Sequence, residues 1–478
     1  MAEPEQDRPS VQDNLQQIVG LLRRYQLVKG LEQLQAMPRH EVVESIVQKQ
    51  NLAELQHKLD QLHPADVAYV LEALPLNDRL VVWDLVRADR DGDILLEVSD
   101  AVRETLIAHM ETRELVAAAE QLDTDEIADL APDLPREVMQ DVFRSLSLEE
   151  RDQLRSAMSY PEDTVGGLMD FDMITVRDDI TVEVVLRYLR RLDEMPDHTD
   201  QLFVVDQQQH LRGLLSVSRL LVTDLDVPVT AIMTPERIKF EPDEKAQDAA
   251  LAFERYDLVS APVVDSAGRL IGRVTVNVVV DFIREETDSE KLSAGGLREE
   301  EDLFASVWSS VKNRWAWLAI NLVTAFIASR VIGIFEGSIE KIVALAALMP
   351  IIAGIGGNSG NQTITMIVRA LALGQITVAS ARKLFAKEIG VSFINGLIWG
   401  GVVGLFAFFI YHNWQLGVVM TGAMVLNLLL AAVMGVTVPL LMHKLGRDPA
   451  VGSSVMITAI TDSGGFFIFL GLATLFLV

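Results

Sequence analysis

Met349-Pro350-Ile351-Ile352-Ala353-Gly354-Ile355-Gly356-Gly357-Asn358-Ser359-Gly360-Asn361-Gln362 is set inside an apolar run that extends from 342 to 370. Such a run exceeds the roughly 20 residues needed to cross a bilayer. Pro350 and the clustered glycines predict a break in the helix at membrane depth, and unpaired backbone cannot face lipid. The stretch is therefore expected to be buried in protein or to line a wet cavity. Its carbonyls and the amides of Asn358, Asn361 and Gln362 are oxygen ligands of the kind hard cations prefer. Close helix packing through small residues is the competing reading. It accounts for Gly356 and Gly357 but poorly for the amides.

Outward from this segment the chain is a membrane protein. Further apolar spans are expected at 315–335, 388–411, 416–441 and 450–478, giving five in all. Lys312 and Arg314 precede the first span, Arg382, Lys383 and Lys387 follow the second, and Lys444 and Arg447 follow the fourth. The alternate loops, with Glu336 and Glu340 or running from Tyr411 to Gln415, lack that excess. The positive-inside rule then places the N-terminal half in the cytoplasm and Val478 outside, in the plasma (inner) membrane. Met1 to Gln17 is polar and acidic, with no secretory signal.

The fifth span carries Ala459-Ile460-Thr461-Asp462-Ser463-Gly464-Gly465-Phe466-Phe467. Asp462 lies about 18 Å along a helix from Ala450, which is mid-bilayer. A carboxylate there is expensive and usually functional. No Lys or Arg of the same helix can pair with it, so a permeating cation is the simplest partner. An Asp hydrogen-bonded to a neighbouring span is the structural alternative. Arg330 and Arg369 read as snorkelling side chains near the two interfaces.

The chain has 478 residues, 41 Lys+Arg, 68 Asp+Glu and no cysteine. Ten of the basic and five of the acidic residues lie from Lys312 onward, so the soluble part is strongly acidic. That excludes a disulfide framework and thiolate metal sites, and argues against nucleic-acid binding. Residues 11–160 have helical periodicity and one repeat: Leu62-His63-Pro64-Ala65-Asp66-Val67-Ala68 through Leu74-Pro75 matches Leu122-Asp123-Thr124-Asp125-Glu126-Ile127-Ala128 through Leu134-Pro135. Short stacked helices of this kind form a superhelical domain. Residues 161–283 are α/β and repeat at a spacing of 59. Phe203-Val204-Val205-Asp206, Gly213 and Ser216 correspond to Pro262-Val263-Val264-Asp265, Gly272 and Thr275, and Ile232-Met233-Thr234-Pro235 opens the second copy. This resembles a tandem pair of CBS domains. Such pairs often hold the ribose of an adenine nucleotide with an Asp three residues after the Ser/Thr. Arg219 and Val278 stand there, which disfavours ATP as a ligand. A connecting helix over 284–311 is expected, with Asp281, Glu285, Glu286, Asp288 and Glu290 near its start. These acids form either a solvated face or a cation-sensing one.

The order of parts, with the membrane domain at 312–478, resembles the MgtE family of Mg²⁺ channels from about residue 30 onward. Pro350-x-x-x-x-x-Gly356-Gly357-Asn358-x-x-Asn361-Gln362 and Thr461-Asp462-x-Gly464-Gly465 are its specific motifs. The resemblance implies a multidomain fold: an all-α superhelical N domain, α/β tandem CBS domains, a plug helix and an all-α domain of five transmembrane helices. It implies a homodimer with one pore, in which Asp462 of both protomers attracts hydrated Mg²⁺, lined by backbone around Thr458 and Gly465. It also implies that Mg²⁺ between acidic cytoplasmic surfaces closes the pore. Asp257, Glu286 and Glu290 match sensor positions; Lys245, Gln247, Val278 and Ser289 stand where the family has acids. In the helical domain Asp91, Asp93 and Asp100 are the nominated sensor acids.

A membrane-embedded hydrolase is excluded by inventory, since no His-Glu-x-x-His or Gly-x-Ser-x-Gly is present. An ion-coupled divalent-cation exporter is the alternative, and a single membrane carboxylate per chain favours a passive channel over it.

Overall fold

In a computed structural model, residues 10–32, 41–192, 195–235, 237–297, 302–372, 376, 378–446, 449 and 452–478 are described. Two compact units divide the chain, one holding Met1–Glu285 with Glu301–Ala305 and the other Glu286–Glu300 with Ser306–Val478.

The first unit begins with short helices. The repeat seen in the sequence folds as two equivalent steps. Helix Pro64–Glu72 starts after His63, whose side chain accepts from the Ala65 N–H, and the chain turns at Pro75. Helix Thr124–Leu130 starts after Asp123, which forms a capping box with Glu126, and turns at Pro135. The apolar anchors of the two steps are buried alike: Leu62 and Leu122, Val67 and Ile127, Leu74 and Leu134. Another capping box, Ser147 with Glu150, opens helix Leu148–Ala157. Ser147→Ala should lower stability by about 1 kcal/mol, because the Glu150 N–H in the first turn loses its acceptor; thermal unfolding measures it.

Arginines close the other helix ends. Arg79 donates to the carbonyls of Leu71 and Leu74, and Arg103 repeats this eight and five residues back, to Leu95 and Val98. Each guanidinium thus ties a carbonyl in the last turn of Pro64–Glu72 or Asp91–Glu97 to one just beyond it, where the helical ladder of donors runs out. Arg79 is fully buried, and its charge is balanced by Asp302 at 2.7 Å and 3.0 Å in a bidentate pair. Arg103 pairs with Asp133 at 3.3 Å.

The CBS pair follows. Strands β1 (Thr175–Arg177), β2 (Gln201–Val205) and β3 (Leu211–Ser216) form one sheet, and β4 (Ser260–Val264) with β5 (Leu270–Thr275) a second. The spacing of 59 holds in register. Phe203 faces Leu214 and Pro262 faces Arg273; a bulge follows Val204 in one copy and Val263 in the other. The copies meet about a local twofold. The Leu211 N–H donates to the Gly268 carbonyl at 3.1 Å, and reciprocally the Leu270 N–H to the Gln209 carbonyl at 2.9 Å.

The connecting helix differs from expectation. It starts inside the second CBS copy, at Val276, and stops at Gly295. The physical reason is Gly296, whose φ of +81° leaves the right-handed helical region at no steric cost. Residues 298–301 of the expected 284–311 helix lie outside the described residues.

In the second unit the long helices are Val307–Ile334, Ala344–Ala372, Val378–Tyr411, Trp414–Lys444 and Ser453–Phe476. Among the described residues four helices are long and apolar enough to cross a membrane: Val307–Ile334, Arg382–Tyr411 within the third, Trp414–Lys444 and Ser453–Phe476. Ala344–Ala372 has the length, 29 residues, but Asn358, Ser359, Asn361 and Gln362 dilute its apolarity. Trp414–Lys444 is the central helix, burying Met420, Ala423, Met424, Asn427, Ala431 and Gly435.

Candidate functional site

Two polar motifs meet in the membrane unit. The first required a correction: the helix is not broken at Pro350–Gln362 but runs unbroken from Ala344 to Ala372. Pro350 removes one N–H early in the helix, which leaves the later turns intact. The glycines serve close packing. A Cβ on Gly356 would overlap Asn427 Nδ2, and one on Gly360 would overlap Ile457 Cγ1. Gly357 has more room, its nearest neighbour being Thr461 Oγ1 at 3.8 Å from such a Cβ. The amides divide. Asn358 and Gln362 are exposed on one face with Gly354, Thr365 and Arg369. Asn361 is half-buried, and its Oδ1 has no hydrogen-bond partner among the described residues.

The second motif lies on Ser453–Phe476. Thr461 is fully buried and spends its hydroxyl on the Ile457 carbonyl at 2.9 Å. Gly465 packs against Asn427, whose Nδ2 lies 2.7 Å from a Cβ built there. Asp462 is half-buried, between the packed Thr461–Gly465 edge and the exposed side of the helix that bears Thr458. The described residues offer it no ion pair or hydrogen bond. Among the described residues it is thus a carboxylate in a membrane helix without a cationic partner.

Two residues of this unit escaped the sequence reading. Glu388 lies inside Arg382–Tyr411 and is buried. It accepts from Thr363 Oγ1 at 3.3 Å and lies 3.6 Å from Lys387 Nζ. The membrane carboxylate is therefore not single, and the inventory of acids does not by itself separate a channel from a coupled exporter. Asn427 lies in a run that reads as uniformly apolar helix, and its contacts come from distant segments.

In the soluble unit the acids form a field, but not along the lines the sequence suggested. Burial pushes the half-buried Asp125 up to about 8, and loss of hydration raises Asp129 to about 7 although part of that residue still reaches the surface, against an ordinary 3.8. Asp170, Glu126 and Asp123 add to the first shift; Glu285, Glu126 and Glu162 add to the second, against Arg103. Glu285 is raised by burial and then by Asp100, with Asp281 and Glu162 nearby. Asp93 acts on Glu126. Asp91 is raised to about 6 by burial, Glu114 and Asp89. So Glu285, Asp281, Asp100 and Asp93 share one field with the unanticipated Asp123, Asp125, Glu126 and Asp129. Asp257 is exposed at the left-handed C-cap of helix Ala246–Tyr256, outside it. Glu286 and Glu290 lie on the connecting helix in the other unit. Among the described residues no three acidic or imidazole groups form a ready metal cage. A field of this kind suits Mg²⁺, which keeps most of its water and binds through one or two carboxylates.

The comparisons agree part by part. A family model described as "Divalent cation transporter" matches residues 349–472, one for the MgtE intracellular N domain matches 62–163, and the CBS domain matches 165–225 and 229–285. The magnesium transporter MgtE of Thermus thermophilus is 31% identical over 441 residues, 91% of this chain and 98% of the relative. That of Bacillus subtilis is 25% identical over 89% of this chain and 94% of the relative. Among solved structures, the cytosolic domain of the Mg²⁺ channel MgtE in complex with ATP is 30% identical with a TM-score of 0.45, covering 50% of this chain and 98% of that one. Identity that extends over helical domain, CBS pair and membrane unit alike places the chain, an integral membrane protein, in the MgtE family of Mg²⁺ transporters.

Proposed function

We propose that this Mg²⁺ transporter is a passive, dimeric channel whose ion site is the pair of Asp462 carboxylates, one from each protomer. The observation that carries it is a half-buried carboxylate in a membrane helix with no cation among the described residues to balance it. Removing an ion from water is costly, so an unpaired carboxylate at that depth calls for a mobile counter-ion. One Asp per chain is half a site for a dication, and a twofold axis supplies the other half. Thr458 and the backbone at Gly465 flank it, and Asn358 and Gln362 offer amides from a face left open within one protomer.

The acidic field of the soluble unit would be the sensor. Mg²⁺ lowers the repulsion among these acids, and its loss drives them apart. Mg²⁺ is thus both cargo and regulatory ion, with no enzymatic step. The basic flanks support a multi-pass protein of the cytoplasmic membrane, N-terminal domains inside and Val478 outside. At the CBS pair Arg219 is exposed and Val278 half-buried where ribose carboxylates would stand, which speaks against ATP here.

The test is Mg²⁺ flux into liposomes holding the purified protein, with internal Mg²⁺ varied. Flux that needs no second ion gradient and falls as internal Mg²⁺ rises is expected. Flux that depends on a proton or Na⁺ gradient would establish the coupled exporter instead. Cross-linking in mild detergent should trap dimers, and transport by a strict monomer would end the twofold-pore reading.

A further inference from the structure

Asn427 is a fully buried polar residue in the middle of Trp414–Lys444. Its Nδ2 donates to the Ile352 carbonyl at 3.0 Å, on the helix that bears the first motif. That carbonyl lies one turn ahead of Gly356 and can accept a second hydrogen bond besides its helical one. The Asn427 Oδ1 is buried and has no partner among the described residues. Burying an amide at half satisfaction costs free energy that an apolar side chain of similar volume would not. Packing alone therefore does not account for an asparagine here.

Its neighbours supply the reason. The same amide fills the space over Gly356 on one side and over Gly465 on the other. Each motif thus has a glycine where a side chain would collide with Asn427. Gly465 comes three residues after Asp462, less than one turn of the same helix. Any rotation that changes the Asn427–Gly465 contact also turns Asp462, by the same angle.

We propose that Asn427 is a positioning residue of the ion path: wedged between Gly356 and Gly465 and bonded to Ile352, it fixes the separation and rotation of the helices carrying Asn358, Gln362 and Asp462. This rests on the reading of Asp462 as the pore site. It adds that the pore's dimensions are set from a residue no ion touches. A site that recognises a hydrated dication by its size is sensitive to such spacing, so loss of the wedge should relax discrimination between Mg²⁺ and the larger Ca²⁺.

The experiment uses the full-length protein in liposomes, with Mg²⁺ and Ca²⁺ uptake measured per folded protein. Asn427→Leu keeps the volume and removes the hydrogen bond; Gly356→Ala keeps Asn427 and forces the helices apart. For each, the half-saturating Mg²⁺ concentration should rise or the maximal rate fall by about 10–100-fold, as when groups supporting an ion ligand are removed. The Mg²⁺ preference over Ca²⁺ should fall with it. A residue with only a structural role would lower yield and thermal stability yet leave half-saturation and ion preference at wild-type values, and that result overturns the proposal. So does failure of both variants to fold. Asp462→Asn, run in parallel, tests the pore reading separately: wild-type transport by that variant ends that reading whatever Asn427 does.

Discussion

Asp462→Asn and Asp462→Ala should both abolish Mg²⁺ uptake while leaving the protein folded. The argument is one of charge. Asparagine has nearly the shape of aspartate and keeps one oxygen acceptor, so a residue bonded to a neighbouring helix would survive the change. No such bond exists for Asp462 among the described residues, whereas Thr461 beside it is satisfied within its own helix. Removing an unpaired carboxylate from mid-membrane relieves a cost that insertion scales put at about 2.5–3.5 kcal/mol. Thermal stability of both variants should therefore equal or exceed wild type. Uptake in a Mg²⁺-auxotrophic host and flux in liposomes measure the loss. Wild-type uptake by Asp462→Asn would remove the central residue of the mechanism.

Without divalent cations, the protein should lose stability as pH rises from about 5 to about 8, and Mg²⁺ should restore it. Asp125 and Asp129 hold their protons in the folded protein up to about 8 and about 7, against 3.8 ordinarily. Between those values the folded state binds more protons than the unfolded chain. Stability then falls with rising pH, the reverse of the usual case for a salt-bridged carboxylate. Below about 3.8 both states are protonated and the cost vanishes; above the folded values it is fully present. Mg²⁺ competes with protons for the same oxygens, so its stabilising effect should be small near pH 5 and large near pH 8. The melting temperature of the full-length protein over pH, with and without Mg²⁺, gives the answer. Asp125→Asn combined with Asp129→Asn should flatten both dependences. A melting temperature that ignores Mg²⁺ at pH 8 would dismiss the acidic field as a sensor.

That field also shows where reading by position fell short. Asp91, Asp93 and Asp100 were reachable because they crowd a short stretch, and Glu285 because it sits in an acidic run. Asp125 and Asp129 were visible only as members of a helical repeat. Their distinction is that Asp170, Glu162 and Glu285 face them, from more than 30 residues away in the chain.

Much of the architecture is local and was therefore determined by the sequence alone. Capping residues and prolines at 63, 75, 123 and 135 fixed the short helices, because a cap acts within one turn. The spacing of 59 fixed two CBS copies with equivalent registers and bulges, because period-two strands repeat wherever their pattern does. Apolar length fixed the membrane unit, and the lone charge in the last span marked Asp462. What only the tertiary structure decided concerns groups whose meaning lies in what faces them. Pro350 and its glycines looked like a helix break, yet the helix is continuous, and Gly356 is small because Asn427 fills its place. Glu388 drew no notice in the sequence, yet it is buried against Thr363. Backbone preference and hydrophobic period are properties of neighbours in the chain; the niche a glycine leaves, or the field a carboxylate feels, is set by neighbours in space.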